Sequence, residues 1–280
     1  MYMNFFVTYV LDSYTPNKNC LTVCSVGLGK FQELASGSNS LKFLTLGLCH
    51  KPAIFEEGKN YSKGVNRGMG MMTEAGELLR AGMEEIGFRS SEKQISCFLT
   101  YLEDLKKWNR AYNLTGLKTD RDIIIKHFLD SLLFAHALPT EALTLADIGS
   151  GAGFPGIPIK IMCPNLSVFL IEPTQKKAVF LQHICSKLQL KNIEIIDKRI
   201  EEVKGLTVDV AVTRALFSIR DFIEKTKDIL NKKGVLILSK GPGLDKELAE
   251  LPGQGLTRIS RKDLSLPFGD VIRHIVIVGQ

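Results

Sequence analysis

Apolar residues recur at three- and four-residue steps in "TEAGELLRAGMEEIGF" (73–88) and "SEKQISCFLTYLEDLKKWNRAY" (91–112). That is the period of helices that bury one face. "TDRDIIIKHFLDSLLFAHAL" (119–138) continues the pattern, with Asp120 near its start, and Ser90 or Ser91 can cap the helix before it. After Pro139 the pattern changes. Short apolar runs read as strands at "LTLADIG" (143–149), "SVFLIE" (167–172), "NIEIID" (192–197), "VDVAVTRA" (208–215) and "VLILSKG" (235–241). Between them, "GIPIKIMC" (156–163), "TQKKAVFLQHICSKLQL" (174–190) and "IRDFIEKTKDILNKKG" (219–234) read as helices, and "LDKELAEL" (244–251) as a short one. Such alternation predicts a parallel sheet covered on both faces. "LTRIS" (256–260) and "VIRHIVIVG" (271–279) follow with no helical run between them, so they are expected to pair antiparallel at one edge.

Residues 1–70 show no sustained period and carry Gly/Ser/Asn clusters such as "ASGSNS". They are expected to be a flexible extension, a targeting segment, or translation from an upstream start, with Met69, Met71 and Met72 as alternative starts. The arginine-poor, acid-containing composition argues against a transit peptide.

Composition changes this picture little. The chain has 280 residues, 45% hydrophobic and 24% charged, with a net charge of +6. That suits one large domain with an appendage and permits a polyanionic partner without demanding one. Of the cysteines at 20, 24, 49, 97, 163 and 185, the later three are scattered through helix- and loop-like sequence, as reduced thiols of a cytosolic protein would be. Cys20, Cys24, Cys49 and His50 have no usual metal-ligand spacing, so no metal is expected. No apolar run approaches the roughly 20 residues of a membrane span, and "FFVTYVL" is short for a signal-peptide core.

The candidate chemistry sits at Asp147-Ile148-Gly149-Ser150-Gly151-Ala152-Gly153-Phe154-Pro155-Gly156, between a predicted strand and helix. Its glycines allow tight turning and close backbone approach to a ligand. No Gly-Lys-Ser/Thr follows, which removes a nucleoside-triphosphate loop. A dinucleotide stays open, because Gly151, Gly153 and Gly156 match G-x-G-x-x-G. Asp147 weighs against it, since a carboxylate there repels a pyrophosphate but can meet the ammonium of S-adenosylmethionine. Pro155 and Pro158 also remove N–H donors that a pyrophosphate would use. Glu172, at the end of "FLIE", can accept both ribose hydroxyls of either adenosine cofactor.

Four segments then carry a specific resemblance: "DIGSGAGFPGIPIKI" (147–161), "VTRA" (212–215), "LSKG" (238–241) and "NLTGLKTDRDIIIKHFLDSLL" (113–133). Together they resemble the 16S ribosomal RNA guanine-N7 methyltransferases, the glucose-inhibited division protein B family, over residues 72–280. The resemblance implies an α/β class I methyltransferase, Rossmann-like, with a mostly parallel seven-stranded sheet. It implies a helical section at 71–138 and an S-adenosylmethionine-binding core at 139–280, with 1–70 lacking a family counterpart. The implied reaction is methyl transfer from S-adenosyl-L-methionine to N7 of a guanine in the 530 loop of 16S ribosomal RNA, free or in an assembling small subunit. The implied setting is a cytoplasmic monomer with no membrane association.

By position, the family's cofactor contacts fall on Gly149, Phe154, Ile200, Glu201 and Arg214, beside Asp147 and Gly151 of the loop stretch and Glu172 at the end of the second strand. Gly149 would admit the amino-acid end of the cofactor, and the Phe154 ring would pack on its apolar parts. The Ile200 N–H and Glu201 carboxylate would meet the adenine edge. Arg214 would face the crevice beyond the strand ends. Thr213 departs from the common serine, and Glu172 stands where the family often has aspartate. Guanine N7 has a lone pair and no proton, so alignment and electrostatics matter more than a base or nucleophile. Cys163, although followed by proline, sits at a helix end. Lys240 is a candidate contact for guanine or phosphate. Lys106, Lys107, Arg110, Lys118, Arg121 and Lys126 form a loose basic group, with Trp108 expected as a core anchor. Arg199 can reach RNA or an acid of its own domain. His127, Asp130 and Ser131 are expected to brace the helical section against the glycine loop. Two other classes compete: an NAD(P)-dependent oxidoreductase, and an RNA-binding protein with a decayed site. The intact Asp147, Gly149, Glu172 and Arg214 argue against decay.

Overall fold

A computed structural model of the chain describes residues 73–214, 216–241, 243–249 and 258–279, all within one compact unit. The expectations for residues 1–70, including the Cys20/Cys24/Cys49/His50 cluster, lie outside the described residues.

Helix α1 (Glu74–Glu85) starts at Thr73, whose hydroxyl accepts from the Gly76 N–H at 3.2 Å. Helix α2 (Glu92–Tyr112) starts with a capping box between Ser91 and Gln94. It ends where Asn113 turns left-handed at φ 51°, a conformation asparagine tolerates. Ile95, Phe98, Tyr101, Leu102 and Leu105 form its buried stripe. The run from Asp120 to Ala137 is helical throughout, but not as the single regular helix its pattern predicts. α3 (Asp120–Ile123) passes into a π-helical turn (Ile124–Leu129), then α4 (Asp130–Leu132) and a 3₁₀ turn (Leu133–Ala137). The stretch Phe128–Phe134 is buried without a break, so its apolar period cannot report where the winding changes.

The sheet comprises β1 (Thr144–Ile148), β2 (Ser167–Ile171), β3 (Ile193–Ile196), β4 (Val208–Arg214), β5 (Leu230–Lys240), β6 (Arg258–Ser265) and β7 (Ile272–Gly279). Its order is β3-β2-β1-β4-β5-β7-β6. The first five strands are parallel, and β7 is antiparallel to both β5 and β6. α5 (Gly156–Met162), α6 (Gln175–Lys187), α7 (Ile219–Thr226) and α8 (Leu244–Ala249) complete the chain. The strand order reverses between β1 and β4, which opens a crevice beyond their C-terminal ends. The helical section and one sheet face share a core that joins Leu79, Phe98 and Phe128 to Leu145, Ile157 and Phe180.

Two boundaries correct the sequence reading. Residues 230–234 belong to β5, not to the preceding helix, which ends at Thr226. Ile229 and Leu230 are buried against the sheet, and the Val208 N–H donates to Ile229 O at 2.8 Å. The register then jumps from Val208↔Leu230 to Val210↔Val235, so residues 231–234 bulge out of the pairing, and a Cβ on Gly234 would stand 2.6 Å from Leu230 Cγ. Strand β6 runs on to Ser265, five residues past the run that reads as strand. Almost every β6 side chain is exposed, so no apolar alternation marks it.

Candidate cofactor site

Asp147 is fully buried near the end of β1, and its Oδ2 accepts from the Gly156 N–H at 2.8 Å. Its Oδ1 is buried with no hydrogen-bond partner. Burial pushes this carboxyl up to about 7; the Gly156 N–H and Arg214 oppose the rise and Glu172 adds to it. The chain then leaves β1 through Gly149, Gly151 and Gly153, with φ of 74°, 63° and 100°. These are left-handed conformations that L side chains rarely adopt. The Gly149 and Ser150 N–H groups donate to Ile171 O at 2.8 and 3.2 Å, tying the loop to the end of β2. Glu172 is buried just past β2. One oxygen accepts from the Gly151 N–H at 2.8 Å and the other from the Thr174 N–H at 2.9 Å. The two carboxylates thus hold opposite ends of the loop. A Cβ on Gly149 would run into Leu216.

The loop is also held from the helical section. Tyr101, fully buried on α2, donates its hydroxyl to Ala152 O. The Phe154 ring stacks on His127 at 4.5 Å and on Tyr101 at 5.4 Å, with the Arg214 guanidinium 5.2 Å above it. The ring is therefore enclosed by protein, with little of its surface left to pack on a ligand.

Arg214 ends β4. It donates to Lys126 O at 3.1 Å, to Asp130 Oδ2 at 3.3 Å and to His127 Nδ1 at 3.0 Å. A guanidinium only donates, so His127 Nδ1 is an acceptor and the ring proton is on Nε2, 2.6 Å from Thr115 Oγ1. Burial, then Arg214, pushes the imidazole down to about 3, so it is neutral at physiological pH. Asp130 is buried, and its other oxygen accepts from Arg273 Nε at 2.5 Å. Ser131 donates its hydroxyl to the His127 carbonyl at 2.5 Å. His127 and Asp130 thus join the helical section to the loop and to β4.

The remaining sequence candidates are placed differently. Ile200 is buried in the second core, on a 3₁₀ turn (Ile200–Glu202). Glu201 beside it is half exposed and pairs with Lys225. Thr213 is buried and donates to Ile148 O at 3.1 Å. Lys240 is engaged within the fold: its ammonium donates to Phe217 O at 2.5 Å and to Glu247 at 3.0 Å. Trp108 is partly buried against Phe180, His183 and Tyr112. Tyr101, Leu216 and Arg273 also border this region, and no sequence pattern singles them out. Tyr101 is one aromatic in an ordinary helical stripe, and Arg273 reaches the site only through strand pairing. Among the described residues, no helix is long and apolar enough to cross a membrane.

A sheet of this order, with a glycine loop after β1 and an acid past β2, defines a class I methyltransferase. The model of the rRNA small subunit methyltransferase G family matches residues 94–276, and the chain belongs to that family. Relatives named ribosomal RNA small subunit methyltransferase G cover most of it. That of Neisseria meningitidis serogroup B is 36% identical over 205 residues, 73% of this chain and 98% of its own length. Those of Acetivibrio thermocellus and Alkaliphilus metalliredigens are 34% and 32% identical, covering 72% of this chain and 87% and 88% of theirs. The solved structure of M. jannaschii TYW2 in complex with AdoMet superposes loosely (TM-score 0.41, 18% identity, 54% of this chain and 73% of that one) and bears on nothing further.

Proposed function

We propose that this chain transfers a methyl group from S-adenosylmethionine to N7 of a guanine in the 530 loop of small-subunit (16S) ribosomal RNA. The observation that carries the cofactor half is the buried, unpartnered Asp147 Oδ1 beside three left-handed glycines. A buried acceptor left without a partner is costly, and an ammonium, directly or through water, is the group that satisfies it. When bound, S-adenosylmethionine supplies an electrophilic methyl group on a cationic sulfur.

In this reading Asp147 and Arg214 meet the charged amino-acid end, Gly149 and Gly151 admit it, and Glu172 takes the ribose hydroxyls. Ile200 and Glu201 flank the adenine, and Phe154 presents its backbone. Glu172 already accepts two backbone N–H bonds, and a carboxylate has lone pairs for two more. Lys240 meets guanine or phosphate only by giving up Glu247 and the Phe217 carbonyl.

The site's acid–base inventory supports N7 as the acceptor. Both His127 nitrogens are engaged, and the ring stays neutral. The ring is therefore not available as a base, and N7 needs neither base nor nucleophile. The chain's remaining task is to align the base and exclude water. The reading has the chain acting as a monomer in the cytoplasm, on 16S RNA or an assembling small subunit, with residues 71–138 as an accessory helical section to the 139–280 core.

The test is methyl transfer in vitro from labelled S-adenosylmethionine to small-subunit RNA and to small-subunit particles. Label recovered as 7-methylguanine in the 530 loop is the expected result. Label on another base or atom, or none on either substrate, contradicts it.

A further inference from the structure

We infer that the C-terminal half of α2 and the adjoining stripe of α6 form one docking face for the phosphate backbone of the RNA. The inference rests on the proposed RNA substrate and names a surface for it. Residues 105–119 carry Lys106, Lys107, Arg110 and Lys118, and residues 173–193 carry Lys176, Lys177, Lys187 and Lys191; neither interval contains an aspartate or glutamate.

The fold brings the two intervals together. Asp104 bonds His183 at 2.7 Å and Lys187 at 2.6 Å, while Trp108, one turn further along α2, meets Phe180 and His183. Moving towards the C-terminus of α2 therefore moves towards the N-terminus of α6, so the helices run antiparallel. Lys107, Arg110 and Tyr112 thus lie towards the N-terminal end of α6, where Lys176 and Lys177 follow Glu172 at the crevice. Lys176, His183 and Lys187 share one stripe of α6 by helical spacing.

The nearby acids do not cancel this charge. Asp104 is buried and spent on His183 and Lys187, which hold its carboxyl below the usual range against the opposing effect of burial. Asp120 pairs with Lys106 at 2.5 Å. Glu103 is exposed and shares one stripe of α2 with Lys107 and Arg110 by helical spacing, so it offsets one positive charge of the face and leaves it net basic. Lys107, Arg110 and Lys176 are exposed and make no ion pair with a described acid. Tyr112, 42% exposed and packed on Trp108, adds an aromatic surface at the seam between α2 and α6. A basic strip interleaved with aromatics and leading to a crevice is the footprint of nucleic-acid binding.

The experiment compares the full chain with Lys107→Glu/Arg110→Glu and with Lys232→Glu/Lys233→Glu. The second pair is exposed at the N-terminal end of β5, the opposite end of that strand from Lys240. Binding of an RNA containing the 530 loop is measured by fluorescence anisotropy across a salt series, with calorimetric titration of S-adenosylhomocysteine in parallel. The face predicts at least about tenfold weaker RNA binding for the α2 pair. Its log K against log salt slope should be shallower by about 0.7–0.9 for each phosphate that the substituted side chains no longer neutralise. S-adenosylhomocysteine affinity and kcat stay as in the wild type while KM for RNA rises, and the β5 pair binds RNA within about twofold of wild type. Unchanged binding in the α2 pair, or equal losses in both pairs, overturns the face. Methyl transfer by the wild type is read in the same samples. Transfer with unchanged α2-pair binding overturns the face alone, whereas no transfer by the wild type overturns the functional reading.

Discussion

Arg214 donates to Nδ1 of His127 across 3.0 Å, and that hydrogen bond decides which imidazole nitrogen carries the proton. His127 must be neutral to accept it, and its folded-state pKa of about 3 lies below the ordinary 6.5. Between these values the unfolded chain binds the proton that the folded chain refuses. This group's stabilising contribution is therefore complete above about pH 6.5 and is lost as pH falls towards 3. The loss amounts to roughly 1.4 kcal/mol for each pH unit, about 2 kcal/mol between pH 6.5 and 5. His127→Gln keeps an acceptor but cannot titrate. Urea denaturation at a series of pH values should show the wild type weakening on acidification more steeply than the variant. Parallel profiles would contradict the buried neutral imidazole.

Asp147 has the opposite sign. Its carboxyl is raised from an ordinary value near 4 to about 7, so the folded chain holds a proton the unfolded chain releases. Stability from this group is present below pH 4 and falls as pH rises towards 7. Asp147→Asn is expected to raise the melting temperature at pH 8 relative to wild type, and less so at pH 5. The same change should weaken S-adenosylhomocysteine binding at least about tenfold and remove its pH dependence between 6 and 8. A variant that binds as tightly as wild type at pH 8 excludes Asp147 from cofactor recognition.

Gly149 is left-handed and faces Leu216. Gly149→Val adds backbone strain of about 1–3 kcal/mol and fills the space between them. The expected variant is folded by circular dichroism, melts earlier and shows no calorimetric binding of S-adenosylhomocysteine. Cofactor affinity unchanged in a folded variant would show that no ligand approaches this backbone.

Tyr101 reaches from α2 to the loop carbonyl of Ala152. Removing the hydroxyl leaves that carbonyl short of a donor, so Tyr101→Phe should cost about 1–2 kcal/mol in urea unfolding. It should also weaken cofactor binding by loosening the loop, with no change in the pH profile. Wild-type stability and affinity together would show that the hydrogen bond contributes nothing.

The sheet was legible in the sequence because β1, β2, β4 and the second half of β5 are largely buried and read as nearly continuous apolar runs, while the edge strand β3 keeps three isoleucines around the exposed Glu194. The glycine loop was legible because Gly149, Gly151 and Gly153 meet a backbone requirement that no other residue meets cheaply. The β5 start and the β6 end were hidden for local reasons. "LNKKG" is mostly polar sequence recruited through one buried leucine and a bulge, and "RKDLS" lies on an edge strand with no buried face. The role of the Phe154 ring could not be read from the loop, because the residues that enclose it, Tyr101 and His127, come from helices far away in sequence. The same holds for Arg273, whose link to Asp130 spans 143 positions.

The most direct measurement of the central claim is a map of 7-methylguanine in small-subunit ribosomal RNA from cells with and without this gene. The account predicts one modified guanine in the 530 loop that disappears with the gene and returns when the intact gene is restored, but not with Gly149→Val. Persistence of that modification without the gene, or loss of a methyl group elsewhere instead, would contradict it.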